Sequence, residues 1–147
     1  MSNALRTAEG YELFIFAVRE TFPSVRHSTP AFVRRGASLA RVGGELHFDH
    51  GFGLVVREGL VCDHLPVTID WYGYEIWCGR EKLCWYDSQP HLDDSGLKST
   101  DPHHKHIRPN IKQHRVSAPQ MSFFRPNPPD LIQEIEMLIW RVEERST

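Results

Sequence analysis

Cysteine is scarce in this chain, and the little there is falls at no useful spacing. Cys62, Cys78 and Cys84 make an odd number with no zinc-like interval between them, so neither a disulfide framework nor a structural zinc knot is expected. Reduced thiols in a cytoplasmic protein are the simplest reading. No run of roughly 18 apolar residues occurs, which excludes a helical membrane span. The opening MSNALRTAEG has neither a basic stretch nor an apolar one, so a secretory leader is not expected. There is no surplus of one charge either: the net charge is −2, and general attraction to nucleic acid is excluded unless a local patch supplies it. Two familiar catalytic devices are also missing. No nucleophile elbow is present, and the GFG after His50 lacks the strand–loop–helix setting of a phosphate-cradling loop.

What remains is an ordinary globular composition, 40% hydrophobic and 24% charged, in a chain long enough for one domain spanning residues 1–147. A domain of this size buries about 70% of its unfolded surface. It therefore has no need of a metal or a disulfide merely to fold.

The apolar spacing predicts a first helix from about Ala4 to Phe22, with Leu5, Ala8, Leu13, Phe16, Ala17 and Glu20 along one stripe and Pro23 as its stop. Short β-rich runs follow: Phe32–Arg34, Ser38–Val42, Glu45–Asp49, Gly53–Glu58, Leu60–His64, Val67–Cys78 and Lys82–Tyr86. Gly43-Gly44, His50-Gly51 and Gly79-Arg80 read as the turns between them, and Gly73 as a bulge. No connection is long enough for a crossover helix, so the pattern is an antiparallel meander. A last helix opens at Pro128-Pro129-Asp130 and runs to about Glu144, with Leu131, Ile132, Ile135, Leu138, Ile139 and Val142 inward and Glu134, Glu136, Arg141, Glu143 and Arg145 outward. The expected fold class is α+β: a curved antiparallel sheet, a meander of about five to seven strands, with an N-terminal and a C-terminal helix and a long His/Pro-rich loop.

That loop holds the chemistry. Five of the nine histidines, His91, His103, His104, His106 and His114, lie between Trp85 and Arg115, with Lys98, Lys105, Arg108, Lys112 and Arg115. From Lys98 onward the stretch carries a net charge of about +4 inside a chain of net charge −2, which suits a local anionic ligand. Histidine titrates near neutral pH, so the cluster concentrates proton-transfer and metal-binding capacity. In PHHKH, an extended backbone turns His104 and His106 to one side and His103 and Lys105 to the other. Two histidines on one side can act as base and acid at a phosphodiester. Asp87, at a strand end, could orient an imidazole, although a turn-capping aspartate is the blander reading. Lys105, Arg108, Lys112 and Arg115 are the candidate phosphate contacts, and Trp71, Tyr74, Trp77 or Trp85 could stack an unpaired base. The catalytic candidates are thus Asp87, His91, His103, His104 and His106. The same chemistry admits a metal alternative, a divalent ion such as zinc on Asp87, His91, His104 and His106. The blandest reading is a solvated basic loop. His47, His50 and His64 read as strand or turn histidines.

The arrangement of WYD-x-x-PH, then PHHKH, then IKxxR and a PNPPxLIxEIE helix resembles the TumE family of bacterial and archaeal toxins, over roughly Glu45 to Glu136. Tyr86, Asp87, His104 and His106 match its strand end and His-x-His, and His91 and His103 fit a longer branch of it. Ser88 stands where an asparagine usually follows the aspartate, and the N-terminal helix is extra. The resemblance implies the toxin of a toxin–antitoxin pair, hence a cognate antitoxin as partner. With the histidine cluster it leads to the expectation of a cytoplasmic, metal-independent endoribonuclease acting on RNA without a cofactor, with a homodimer among the assemblies it admits. The rival expectations are a non-catalytic nucleic-acid- or protein-binding module, and a metal-dependent hydrolase or nucleotidyltransferase using the same cluster.

Overall fold

The computed structural model describes residues 3–88, 103–107 and 115–146. Its architecture is α+β, an open antiparallel sheet with helices at both ends of the chain. A 3-10 turn (Ala4–Arg6) leads into α1 (Ala8–Phe16) and α2 (Val18–Thr21). Eight strands follow: β1 (His27–Ser28), β2 (Ala31–Arg35), β3 (Leu39–His47), β4 (Phe52–Val61), β5 (Thr68–Cys78), β6 (Glu81–Asp87), β7 (His104–His106) and β8 (Arg115–Ser117). The chain closes with α3 (Pro128–Arg145). The strand order is β1-β3-β4-β5-β6-β7-β8, with β2 also paired to β3. All pairings are antiparallel, as a chain without crossover connections requires.

Four local readings of the sequence change. The single N-terminal helix is two helices, and its buried stripe is Ala8, Tyr11, Ile15 and Val18, while Leu13 and Phe16 are 66% and 82% exposed. Thr7 sets this phase by capping α1: its Oγ1 accepts from Gly10 N at 2.9 Å, and a Cβ on Gly10 would lie 3.0 Å from that oxygen. Gly43-Gly44 is not a turn but the middle of β3. Gly44 has φ 154°, and a Cβ there would fall 2.4 Å from Pro30 Cα, so glycine serves close backbone approach instead of chain reversal. The expected bulge at Gly73 is absent; Gly73 pairs regularly with Arg57 and Asp87, and the register shifts fall at Gly59/Leu60 and at Ile76/Trp77. Finally, two short strands, β7 and β8, lie in a proline-rich region read from the sequence as a long loop with little periodicity.

Side chains alternate between the two sheet faces. Leu54, Val56, Glu58, Tyr74, Ile76, Cys84 and Tyr86 look toward the helices and are buried with Tyr11, Ile15, Leu131, Ile132 and Ile135. Each fully buried aliphatic side chain of α3 contributes about 1.5–3 kcal/mol by leaving water, which is what seats an amphipathic helix on the sheet. Arg57, Glu75, Trp77, Lys82, Trp85 and Asp87 belong to the opposite face. Among the described residues, no helix packs on that side.

Candidate functional site

The site is assembled by the register of β6 against β7. Asp87 pairs with His104, Tyr86 with Lys105 and Trp85 with His106. Because alternation puts Asp87 and Trp85 on one face of β6, their partners His104 and His106 share that face. His104 is directly opposite Asp87, and His106 is its diagonal neighbour, close enough for both rings to reach one carboxylate. Asp87 Oδ1 meets His104 Nε2, and Asp87 Oδ2 lies 3.1 Å from His106 Nε2. The imidazole rings are 5.0 Å apart at 69°, and the indole of Trp85 stacks on His106 at 4.6 Å and 22°. The group is nearly dry: Asp87 is 8%, His104 0% and His106 4% exposed. A charged carboxylate at such a place needs partners, and the two imidazoles supply them. An ionised carboxylate only accepts hydrogen bonds, so each imidazole presents an Nε2–H to Asp87 and Nδ1 becomes its basic nitrogen when it is neutral.

The donor atoms of Asp87, His104 and His106 all lie within 4.8 Å of one another. Two imidazole nitrogens and a carboxylate oxygen at that separation could hold a transition metal ion.

His103 and Lys105 project to the helix side. The Tyr72 hydroxyl is 2.6 Å from His103 Nδ1, with Tyr72 stacked on His103 at 5.7 Å and Phe123 tilted against it at 4.6 Å. Burial, then the charge on nearby Asp87, pushes the Tyr72 hydroxyl well above its ordinary value, so it stays a donor. Burial and the neighbouring His104 hold His103 below its ordinary value, which suits a neutral acceptor of that hydroxyl. Lys105 binds Glu134 on α3 at 2.9 Å. Of the other residues singled out from sequence, His91, Arg108 and Lys112 lie outside the described residues. Arg115 is the cross-strand partner of His106.

Three features were not visible in the sequence. Glu134, read as outward, faces the sheet: its carboxylate accepts from the Tyr86 hydroxyl and from Lys105, with Cys84 Sγ at 3.9 Å. Burial and Glu134 push the Cys84 thiol up to about 12, so this cysteine is an inert core residue. Ser88 Oγ accepts from Tyr72 N at 3.0 Å, fixing β5 beside the strand end that carries Asp87. Glu58, fully buried in β4, accepts from Tyr11 at 2.6 Å and from Tyr74, and Asn127 Nδ2 donates to the Tyr74 hydroxyl at 3.1 Å. That network ties α1, the sheet and the start of α3 together. The only sequence signal for it was a glutamate at an inward position of an otherwise apolar strand.

A protein-family model described as Toxin TumE matches residues 15–142, most of the chain. No curated protein and no solved structure gives a significant match.

Proposed function

Since the chain belongs to the Toxin TumE family, and is therefore the toxin of a toxin–antitoxin pair with an antitoxin as partner, we propose that it acts by cleaving RNA at the Asp87–His104–His106 cluster. One observation carries this reading: a single carboxylate holds two histidines of the adjacent strand, one on each oxygen. RNA can be cleaved by proton transfer alone. The 2′-hydroxyl attacks the adjacent phosphorus while one imidazole takes its proton, and the other, as imidazolium, protonates the departing 5′-oxygen. The products are a 2′,3′-cyclic phosphate and a 5′-hydroxyl end, with no proton gained or lost overall. Asp87 fixes both rings and stabilises whichever is cationic, so charge passes between the histidines without leaving the site. Trp85 holds the plane of His106. RNA and antitoxin would both be met in the cytoplasm.

The test is incubation of the purified chain with total cellular RNA, with and without EDTA, beside the His104→Ala and His106→Ala variants. Cleavage that survives EDTA and is lost in folded variants supports the proposal. No cleavage by the wild-type chain under either condition overturns it.

A second reading has its own observation, the convergence of the three donor atoms within 4.8 Å. On it, Asp87, His104 and His106 ligate a divalent ion such as zinc, and the protein is a metal-dependent hydrolase or nucleotidyltransferase. A bound ion would supply Lewis-acid activation of a phosphoryl oxygen or of water. Stoichiometric metal in the purified protein, and loss of activity on chelation, would select this reading.

A further inference from the structure

We propose that the sheet face opposite the helices is a platform for single-stranded nucleic acid that leads into the Asp87 cluster. The inference rests on reading that cluster as an RNA-cleaving centre, and it adds the conformation of the substrate and the residues that grip it.

Aromatic rings and cations alternate across this face. The Lys82 ammonium sits 5.5 Å from the Trp77 ring centre and 4.9 Å from that of Trp85, and Trp85 in turn stacks on His106. A continuous row therefore runs Trp77, Lys82, Trp85, His106 across β5, β6 and β7. At about 4.8 Å per strand it covers roughly 10 Å. Glu75, the acidic residue inside the row, is fully engaged: Trp77 Nε1 donates to it at 2.9 Å, Arg57 at 3.0 Å and Lys82 at 3.4 Å. Burial opposes its ionisation, but these three partners outweigh it and hold its carboxyl below the usual range. A fixed carboxylate with two cations leaves positive charge beside the rings. Arg35 and Arg41 extend it along the face, with Glu45 and Asp70 as the acidic residues beside them.

Above Gly53 lies a cleft of about 410 Å³ walled by His47, Arg57, Glu75 and Trp77, within the range of small-molecule sites, about 300–1,000 Å³. A Cβ on Gly53 would have only Leu46 O within 4 Å, at 3.6 Å, so the floor there is open backbone.

This combination suits unpaired bases. Stacking on a half-buried ring such as that of Trp77 is available to any base whose face is free, whereas paired bases in A-form RNA present a backbone and a shallow groove. A duplex cannot offer a base face to Trp77 without opening.

The probe is a fluorescein-labelled mixed-sequence DNA strand of ten nucleotides, which lacks the 2′-hydroxyl and so survives the proposed chemistry, used alone and annealed to its complement. Fluorescence anisotropy should show the single strand binding at least about tenfold more tightly than the duplex. Trp77→Ala should weaken binding by about tenfold, the loss of one base stack, while Trp77→Phe, which keeps a ring, stays within about threefold. Lys82→Gln should lower the slope of log affinity against log salt by about 1. Equal binding of duplex and single strand, unchanged binding by Trp77→Ala, or no binding at all overturns the platform. The two proposals fail separately. Binding as described without RNA cleavage defeats the nuclease reading alone. Cleavage by the wild type with unaltered KM and affinity in Trp77→Ala defeats the platform alone.

Discussion

In the proposed mechanism the chemistry turns on Asp87, because each of its oxygens meets a different histidine. Asp87→Asn keeps the size of the side chain but removes the charge that stabilises an imidazolium. It should cut RNA cleavage at least about 100-fold, the scale of a lost acid–base function, with the far-ultraviolet dichroism of the wild type retained. His104→Ala and His106→Ala should cost at least as much, measured by the initial rate of product formation. Glu58 makes a contrasting prediction. Burial, only partly offset by hydrogen bonds from Tyr11 and Tyr74, raises its carboxyl above the ordinary 4.5. The folded state therefore binds a proton that the unfolded state has released. Stability from this group is complete below pH 4.5 and is lost as pH rises through the raised value. Urea unfolding across that window should show stability falling with pH in the wild type and a flatter profile in Glu58→Gln, which cannot ionise. A wild-type slope of the opposite sign at this group would contradict the account. At this scale the sequence was informative where geometry is local. His104 and His106 were legible because the two-residue period of a strand puts them on one side. Glu58 and Tyr72 were not, because their partners come from elements far away in the chain.

Among the elements, α3 separates support from chemistry. Its Ile135 is buried in the core, and its partly buried Glu134 holds the helix-side face of β6 and β7, behind the strands that carry the cluster. Ile135→Ala should destabilise the chain by about 2–5 kcal/mol through lost burial and a cavity. Glu134→Ala, which strips Tyr86 and Lys105 of their acceptor, should cost about 1–3 kcal/mol. Denaturant titration measures both, and cleavage per folded molecule should change little in either. The limits of α3 were legible from its prolines and apolar spacing, but Glu134 was read outward because periodicity cannot tell which flank of a helix a lysine and a tyrosine await. Glycine misled the reading of the strands. Gly43-Gly44 and Gly59 looked like breaks, whereas Gly44 admits the Pro30 backbone and Gly59 lies beneath the Trp71 indole, where a Cβ would sit 2.0 Å from Nε1. Strands β7 and β8, three residues each, are too short for apolar alternation to mark them as strands.

At the scale of the whole molecule, helices occupy one face of the sheet and leave Asp87, His104, His106 and the aromatic row on the other. An antitoxin is the expected partner of a toxin of this family, and the α+β class and sheet topology that give the molecule two such different faces followed from the absence of crossover connections in the sequence. The division of labour between the faces could not be read there, since it depends on the register that brings His104 opposite Asp87. The central claim is that Asp87, His104 and His106 cleave RNA by proton transfer. Cleavage of total cellular RNA in the presence and absence of EDTA, with His104→Ala and His106→Ala alongside, tests it most directly. Products should end in 2′,3′-cyclic phosphate, form equally with and without chelator, and be absent in both variants. Cleavage abolished by EDTA, or surviving both substitutions, would contradict it.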